Sequence, residues 1–305
     1  MRQLTILAPC KVNLTLDIRS RRPDGYHEMD MIMQAVSLFD RLTLTPRTDG
    51  GSGLLLQCTR PDLSRGEDNI VSRCARGFWE HCGIPQEEQN IQVLLEKAIP
   101  VQAGLGGGSA DGAGILAALN RWHGTGLSVE ELCAIGAKYG ADIPFCLFGG
   151  TARAQGIGEK LTRLPALPDC VFVVVKPRCA VSTGQAFAAF DDAGVDAHPD
   201  TEGALTALGR GDLPGLCERM ENVFEELCQS QPQLEQVLQV RQEFCRQGAL
   251  AARMSGSGSA VFGVFADPQQ AMDCADRLEA AGQVESVHLA APWAGGPVIE
   301  WEQSE

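Results

Sequence analysis

Apolar and polar side chains alternate over residues 4–8 and again over residues 12–18, the two-residue period of half-buried strands. The sequence Arg22-Pro23-Asp24-Gly25 then predicts a turn, because proline and glycine supply the backbone angles a reversal needs. Further strands are expected at residues 31–37, 42–45 and 54–58. Residues 69–82 place Ile70, Cys74 and Phe78 at helical spacing, and residues 91–97 read as another strand. After Pro100 comes a run of glycines, and a helix is expected from Ser109 to about Trp122. The next helix spans residues 128–138. It opens with Ser128 and with Glu131 three positions on, a capping box.

Beyond the glycine-studded stretch 149–158, the β-branched run at residues 171–176 predicts a buried strand. Helices are expected at residues 183–190, 213–227 and 232–247. A strand near 250–254, a Gly/Ser loop, a strand at 260–265, a helix at 268–280 and a strand at 284–289 follow. This mixed order predicts an α+β protein of two lobes with a cleft between them. The boundary is expected near residues 155–160, dividing the chain into 1–157 and 158–305. The tail after Pro292 is rich in glycine and proline and is expected to be loose.

A chain of 305 residues is long enough for two packed units. No apolar run approaches the ~20 residues that cross a bilayer, and the first residues lack the apolar block of a signal peptide. A cytoplasmic protein with no membrane partner is expected. The twelve cysteines include no Cys-x-x-Cys pair, so they read as small core residues in a reducing compartment rather than zinc ligands. His81, His123, His198 and His288 are isolated and read as structural or surface residues, and no metal-ligand set is expected among the side chains. The net charge of −14 repels phosphate backbones and argues against a nucleic-acid partner. It also means that a phosphate-bearing ligand needs a dedicated local site.

Residues 99–111 supply one. Gly104, Gly106, Gly107 and Gly108 allow close backbone approach to a ligand, and they sit directly before an apolar helix. Free N–H groups and the helix dipole make such a start a phosphate site without net positive charge. The loop lacks the Lys-Ser/Thr ending of a Walker A motif, and its spacing does not fit a dinucleotide fingerprint. Ser109 is expected to cap the helix and to offer its hydroxyl to phosphate or Mg²⁺. A side chain at Gly107 is expected to shut the loop to phosphates. Taken alone, a glycine run also has a bland reading as a flexible linker, with Ser109 as a simple cap.

Phosphoryl transfer to an alcohol needs a carboxylate to accept the proton and a cation to steady the developing charge. Asp142, in Gly140-Ala141-Asp142-Ile143-Pro144-Phe145, and Lys11, in Ala8-Pro9-Cys10-Lys11-Val12-Asn13, both stand among apolar neighbours. Each also has a bland reading, Asp142 as a helix cap and Lys11 as an edge-strand lysine reaching water. A second loop, Ser255-Gly256-Ser257-Gly258-Ser259, lies between two expected strands and could close over ATP or the acceptor.

In this order the Pro9 to Leu14 strand, the loop at residues 104–109 and the loop at residues 256–258 resemble the signature segments of the GHMP small-molecule kinases. That resemblance implies a ribosomal-protein-S5-like N-terminal lobe, a ferredoxin-like C-terminal lobe, and ATP with Mg²⁺ as cosubstrate. It implies Asp142 as general base and Lys11 as its partner. Lys97, Pro100, Gly104, Leu105, Gly106, Gly107, Gly108 and Ser109 would bind ATP. Arg22-Pro23-Asp24-Gly25-Tyr26-His27-Glu28, with the Asp142 segment and Gly149-Gly150, narrows the likeness to members acting on a cytidine diphosphate-linked methylerythritol, on the non-mevalonate route to isoprenoid precursors. Tyr26, His27 and Phe187 would then hold the base, with Asn13, Gly256, Ser257 and Gly258 near the acceptor. A homoserine, mevalonate or sugar kinase is the alternative within the family, and a non-catalytic binder the alternative outside it. Cys10 and Asp111 are the small departures from the family's pattern. Assembly as a monomer or a homodimer is left open.

Overall fold

The computed structural model describes residues 2–193, 198–230 and 234–303. Two long antiparallel strands, β1 (Gln3–Arg21) and β2 (His27–Pro46), are its spine. The expected turn joins them, with the Arg22 N–H donating to the Tyr26 carbonyl at 2.7 Å. The strands expected at 4–8 and 12–18 are one strand, as are those at 31–37 and 42–45. Register shifts at Pro9/Cys10 and Asn13/Thr15 interrupt the pairing with β2 without ending the strand. Leu4, Ile6, Ala8, Cys10, Val12 and Leu14 face one core, while Leu16 and Ile18, past the second shift, face another. Period-two geometry leaves Lys11 and Asn13 together on the opposite face of β1 from Cys10 and Val12.

β3 (Leu54–Cys58) pairs in parallel with β4 (Ile91–Glu96), which pairs antiparallel with β2. Between them α1 (Ile70–Cys82) starts at Asn69, whose side chain accepts the Val71 N–H. α2 (Gly107–His123) packs against β1 and β2, and α3 (Val129–Gly136) carries the expected Ser128–Glu131 capping box. α4 (Ile143–Phe148) is short, with Pro144 in its first turn. β5 (Thr151–Gly156) pairs with β2, and β6 (Lys160–Arg163) pairs with β5. No strands were expected here, because Ala152 and Ala154 are fully buried yet too small to give a strong apolar signal.

β7 (Val171–Lys176) is the buried strand the sequence predicts. After it come α5 (Thr183–Ala193), α6 (Thr201–Gly209), α7 (Leu213–Glu218), β8 (Glu221–Asn222) and α8 (Leu227–Ser230). The chain continues through α9 (Glu235–Arg246), β9 (Ala251–Met254), β10 (Val261–Phe265), α10 (Pro268–Ala281), β11 (Ser286–Ala290) and β12 (Val298–Gln303). The second sheet, ordered β11-β7-β10-β9 and wholly antiparallel, has the split strand–helix–strand arrangement of ferredoxin-like folds.

Two expectations are corrected. The helix expected over 213–227 breaks at β8, because Asn222 spends its side chain on tertiary bonds to the carbonyls of Met254 (2.7 Å) and Gly256 (2.9 Å) and on the Phe224 N–H. The tail is not loose: β12 pairs antiparallel with β1 and closes one edge of the eight-stranded sheet. Positions 232 and 233 of the helix expected at 232–247 lie outside the described residues. Among the described residues no helix is long and apolar enough to cross a membrane.

Candidate active site

The glycine loop enters α2 through Gly104 and Gly106, both in the left-handed region at φ of 75° and 70°, with Gln102 at 52° just before them. Gly106, not Ser109, is the N-cap; Ser109 lies inside the first turn. The first N–H groups of α2 have no intrahelical partner, so they are available to an anion. A β-carbon on Gly107 would point beneath the loop, 3.0 Å from Ile99 Cγ2 and 3.5 Å from Lys97 Nζ. On Gly108 it would meet nothing within 4 Å. Gly108 therefore presents the open side that the sequence had suggested for Gly107.

Lys11 joins the parts. Its Nζ donates to the Asn13 Oδ1 at 2.8 Å and to the Gly104 carbonyl at 2.9 Å, and lies 3.5 Å from an Asp142 carboxylate oxygen. The Lys11 N–H also donates to the Leu105 carbonyl at 3.0 Å. Asp142 holds the N-cap position of α4, yet its side chain takes no cap hydrogen bond, which leaves it to face Lys11. Lys11 is 5% exposed and Asp142 32%, so the cation is buried behind a carboxylate that reaches the cleft. Burial pushes the neighbouring Cys10 and Cys146 thiols up, so they remain neutral beside the pair.

The second Gly/Ser loop locks onto this centre. The Gly256 N–H donates to Asn13 Oδ1 at 3.0 Å, and the Ser255 hydroxyl donates to the Gly104 carbonyl at 2.9 Å. Ser257 and Thr183 share a hydrogen bond of 3.0 Å. Gly258 turns away and packs on Met254. Asn13 is buried, bound to Lys11, Gly256 and Met31, and so organises the site around it.

A cavity of about 670 Å³ is lined by Lys11, Asn13, Lys97, Pro100, residues 101–109, Asp142, Phe187, Gly256 and Ser257, so both loops and the Lys11–Asp142 pair open into one space. Lys97 sits at its floor, with Nζ bound by Asp40 and, at 2.7 Å, by Asp111. Tyr26, His27 and Phe187 line an adjoining cavity of about 370 Å³. Tyr26 is 60% exposed on its rim. His27 and Phe187 are stacked on each other, with centroids 4.8 Å apart, and Phe187 meets Phe224 edge-on. His27 Nε2 lies 2.7 Å from Asp191 Oδ1.

Sequence reasoning missed Ser64, Asp68 and Asn69, which line the main cavity together with the glycine loop. The available signal was a polar, turn-rich stretch ending at a helix cap. Asp191 and Asp40 gave none, since their partners are 164 and 57 positions away. Among the described residues no group of three His, Cys, Asp or Glu is placed to hold a metal ion.

Two mixed lobes, a glycine turn feeding a helix, and a lysine–carboxylate pair at its mouth define a small-molecule kinase. The GHMP kinases N terminal domain matches residues 69–150 and the GHMP kinases C terminal domain residues 204–284, and the chain belongs to the GHMP kinase family. It is 42% identical over 270 residues to the 4-diphosphocytidyl-2-C-methyl-D-erythritol kinase of Desulfitobacterium hafniense, covering 88% of this chain and 89% of that one. To the protein of the same name from Alkaliphilus metalliredigens it is 37% identical over 278 residues, with coverages of 91% and 93%. A crystal structure of 4-(cytidine 5'-diphospho)-2C-methyl-D-erythritol kinase matches 96% of this chain and 100% of its own, with a TM-score of 0.79 and 35% identity. A homoserine kinase from Cytophaga hutchinsonii shares the fold, with a TM-score of 0.77 at 20% identity over 97% of each chain.

Proposed function

We propose that this chain transfers the γ-phosphoryl group of ATP to the 2-hydroxyl of 4-diphosphocytidyl-2-C-methyl-D-erythritol, in the synthesis of isoprenoid precursors. The observation that carries the reading is the Lys11 ammonium, held between the Gly104 carbonyl and the Asp142 carboxylate. Asp142 accepts the hydroxyl proton as the new O–P bond forms and the bond to ADP breaks, and Lys11, 3.5 Å away, steadies the developing charge. The amides of Gly106, Gly107, Gly108 and Ser109 hold the phosphates, with Leu105 and Pro100 shaping the wall. Mg²⁺ arrives on the nucleotide, as it commonly does when phosphates supply most of its oxygens.

Tyr26, His27 and Phe187 form the platform for the cytosine, and Gly256 and Ser257 close the space over the acceptor. That aromatic cavity favours a base-bearing acceptor over homoserine, mevalonate or a free sugar, which have nothing to stack. The division at residues 157 and 158 separates the ATP loop and Asp142 from the Gly256 loop, although the β5–β6 hairpin straddles it. We take the protein to be cytoplasmic, as a monomer or a homodimer. An ADP-release assay with ATP, Mg²⁺ and a panel of alcohols tests the reading. Turnover confined to the cytidine-bearing acceptor is expected, and equal or faster turnover of homoserine, mevalonate or a sugar overturns it.

A further inference from the structure

The segment that runs from Lys97 to Asp111 leaves the sheet at the end of β4 and returns to it in the second turn of α2. Its two end residues touch: Lys97 Nζ donates to Asp111 Oδ2 at 2.7 Å. The same ammonium donates to Asp40 on β2, and the other Asp40 oxygen accepts the N–H groups of Ala98 (2.7 Å) and Ile99 (2.9 Å). All three side chains are at most 4% exposed. The cluster thus ties both ends of the glycine loop to the sheet, and the ammonium that the family resemblance would aim at ATP is already engaged.

Two carboxylates on one ammonium leave a net negative charge, directly beneath a loop that has to receive polyphosphate. The two acids are not equivalent. Asp40 accepts two backbone N–H groups on one oxygen and Lys97 on the other. Asp111 Oδ1 is buried with no hydrogen-bond partner among the described residues. We infer that Lys97 is a positioning residue whose clasp with Asp40 and Asp111 fixes the base of the phosphate loop, and that Asp111 serves the clasp as a neutral carboxyl group. The electrostatics agree. Burial pushes the Asp111 carboxyl well above the ordinary range against the pull of Lys97, and the charge of Asp40 adds to the push. Burial alone would lower the Lys97 amine, but Asp111 and Asp40 together raise it.

The inference rests on the reading that this loop holds ATP. Lys97→Met, Asp111→Ala and Asp111→Asn are compared by steady-state kinetics and by calorimetric titration with ATP in the absence of acceptor. Lys97→Met and Asp111→Ala are expected to raise KM for ATP about tenfold or more, as a misplaced loop would, with KM for the acceptor within about twofold of the parent. Asp111→Asn, which keeps the shape without the charge, is expected to restore most of the ATP affinity. An Asn variant as damaged as the Ala variant overturns the neutral carboxyl. ATP and acceptor constants that rise together, or an unchanged KM for ATP, overturn the clasp. If Lys97→Met fails to fold, the two Asp111 variants decide, since both keep the Lys97–Asp40 pair. A parent protein that binds no ATP at all would instead sink the underlying assignment of the loop.

Discussion

A β-carbon on Gly104 would lie 2.0 Å from the carbonyl oxygen of Ser255. The two glycine-bearing loops, 151 positions apart in sequence, are therefore in backbone contact, and the Ser255 hydroxyl donates back to the Gly104 carbonyl at 2.9 Å. That carbonyl also receives Lys11, so the contact transmits the position of one loop to the Lys11–Asp142 pair.

Replacing Gly104 with Ala should therefore damage both folding and activity. The residue has φ of 75°, where a side chain costs about 1 kcal/mol before any collision, and here the collision is with backbone. We expect a lower melting temperature and a fall in kcat/KM of about a hundredfold or more. Gly108→Ala is the control for stability. Its new methyl meets nothing within 4 Å and sits in the first turn of α2, so the melting temperature should hold or rise slightly.

Phe187→Ala should raise KM for a cytidine-bearing acceptor by about fivefold to 150-fold, the range expected of one lost aromatic stack at ~1–3 kcal/mol. KM for ATP should not change. Steady-state kinetics with each substrate varied in turn checks this, and an effect on ATP alone would remove Phe187 from the acceptor site.

Truncation after Pro297 deletes β12 and exposes the edge of β1. Lost with it are the pairings from Gln3 to Leu7 and the ion pairs Arg41–Glu300 and Arg121–Glu302, which lie at the surface and contribute little by themselves. Thermal denaturation should show a loss of stability of about 1–3 kcal/mol from the stripped ladder, and an aggregation tendency from the new edge. An unchanged melting curve would mean that β12 adds nothing to the fold.

The cysteines make a sharp contrast between folded and unfolded protein. All twelve are free thiols, and Cys245 alone is exposed. Burial pushes Cys74, Cys170, Cys217 and Cys228 up to about 12, so they are neither accessible nor ionised at neutral pH. Titration with a thiol reagent should show Cys245 reacting fast in the native state, the half-buried Cys82, Cys133 and Cys179 more slowly, and the eight buried thiols only after denaturation.

Local signals carried much of this far. The Ser128–Glu131 box, the Asn69 helix start and the Val171–Lys176 strand were legible because each depends on near neighbours. The glycine loop and the Asp142 segment were legible as motifs. What failed was set by distant partners. Asn222 breaks an otherwise helical pattern because it bonds Met254 and Gly256. The tail is ordered because β1 offers it an edge. Asp40, on another strand, gave no local sign that it would hold Lys97. Asp142 was open to a bland reading as a helix cap. It does occupy the cap position, but the absence of the cap hydrogen bond turns its carboxylate toward Lys11.

The account stands on the Asp142 carboxylate acting as the base for the acceptor hydroxyl. Asp142→Asn keeps the size of the side chain and removes the basic group, so single-turnover kinetics with saturating ATP isolates the chemical step. We predict a fall in rate of ~10²–10⁴ with ATP binding and melting temperature near those of the parent. A rate within about threefold of the parent would contradict the mechanism, since loss of a true general base leaves a far larger deficit.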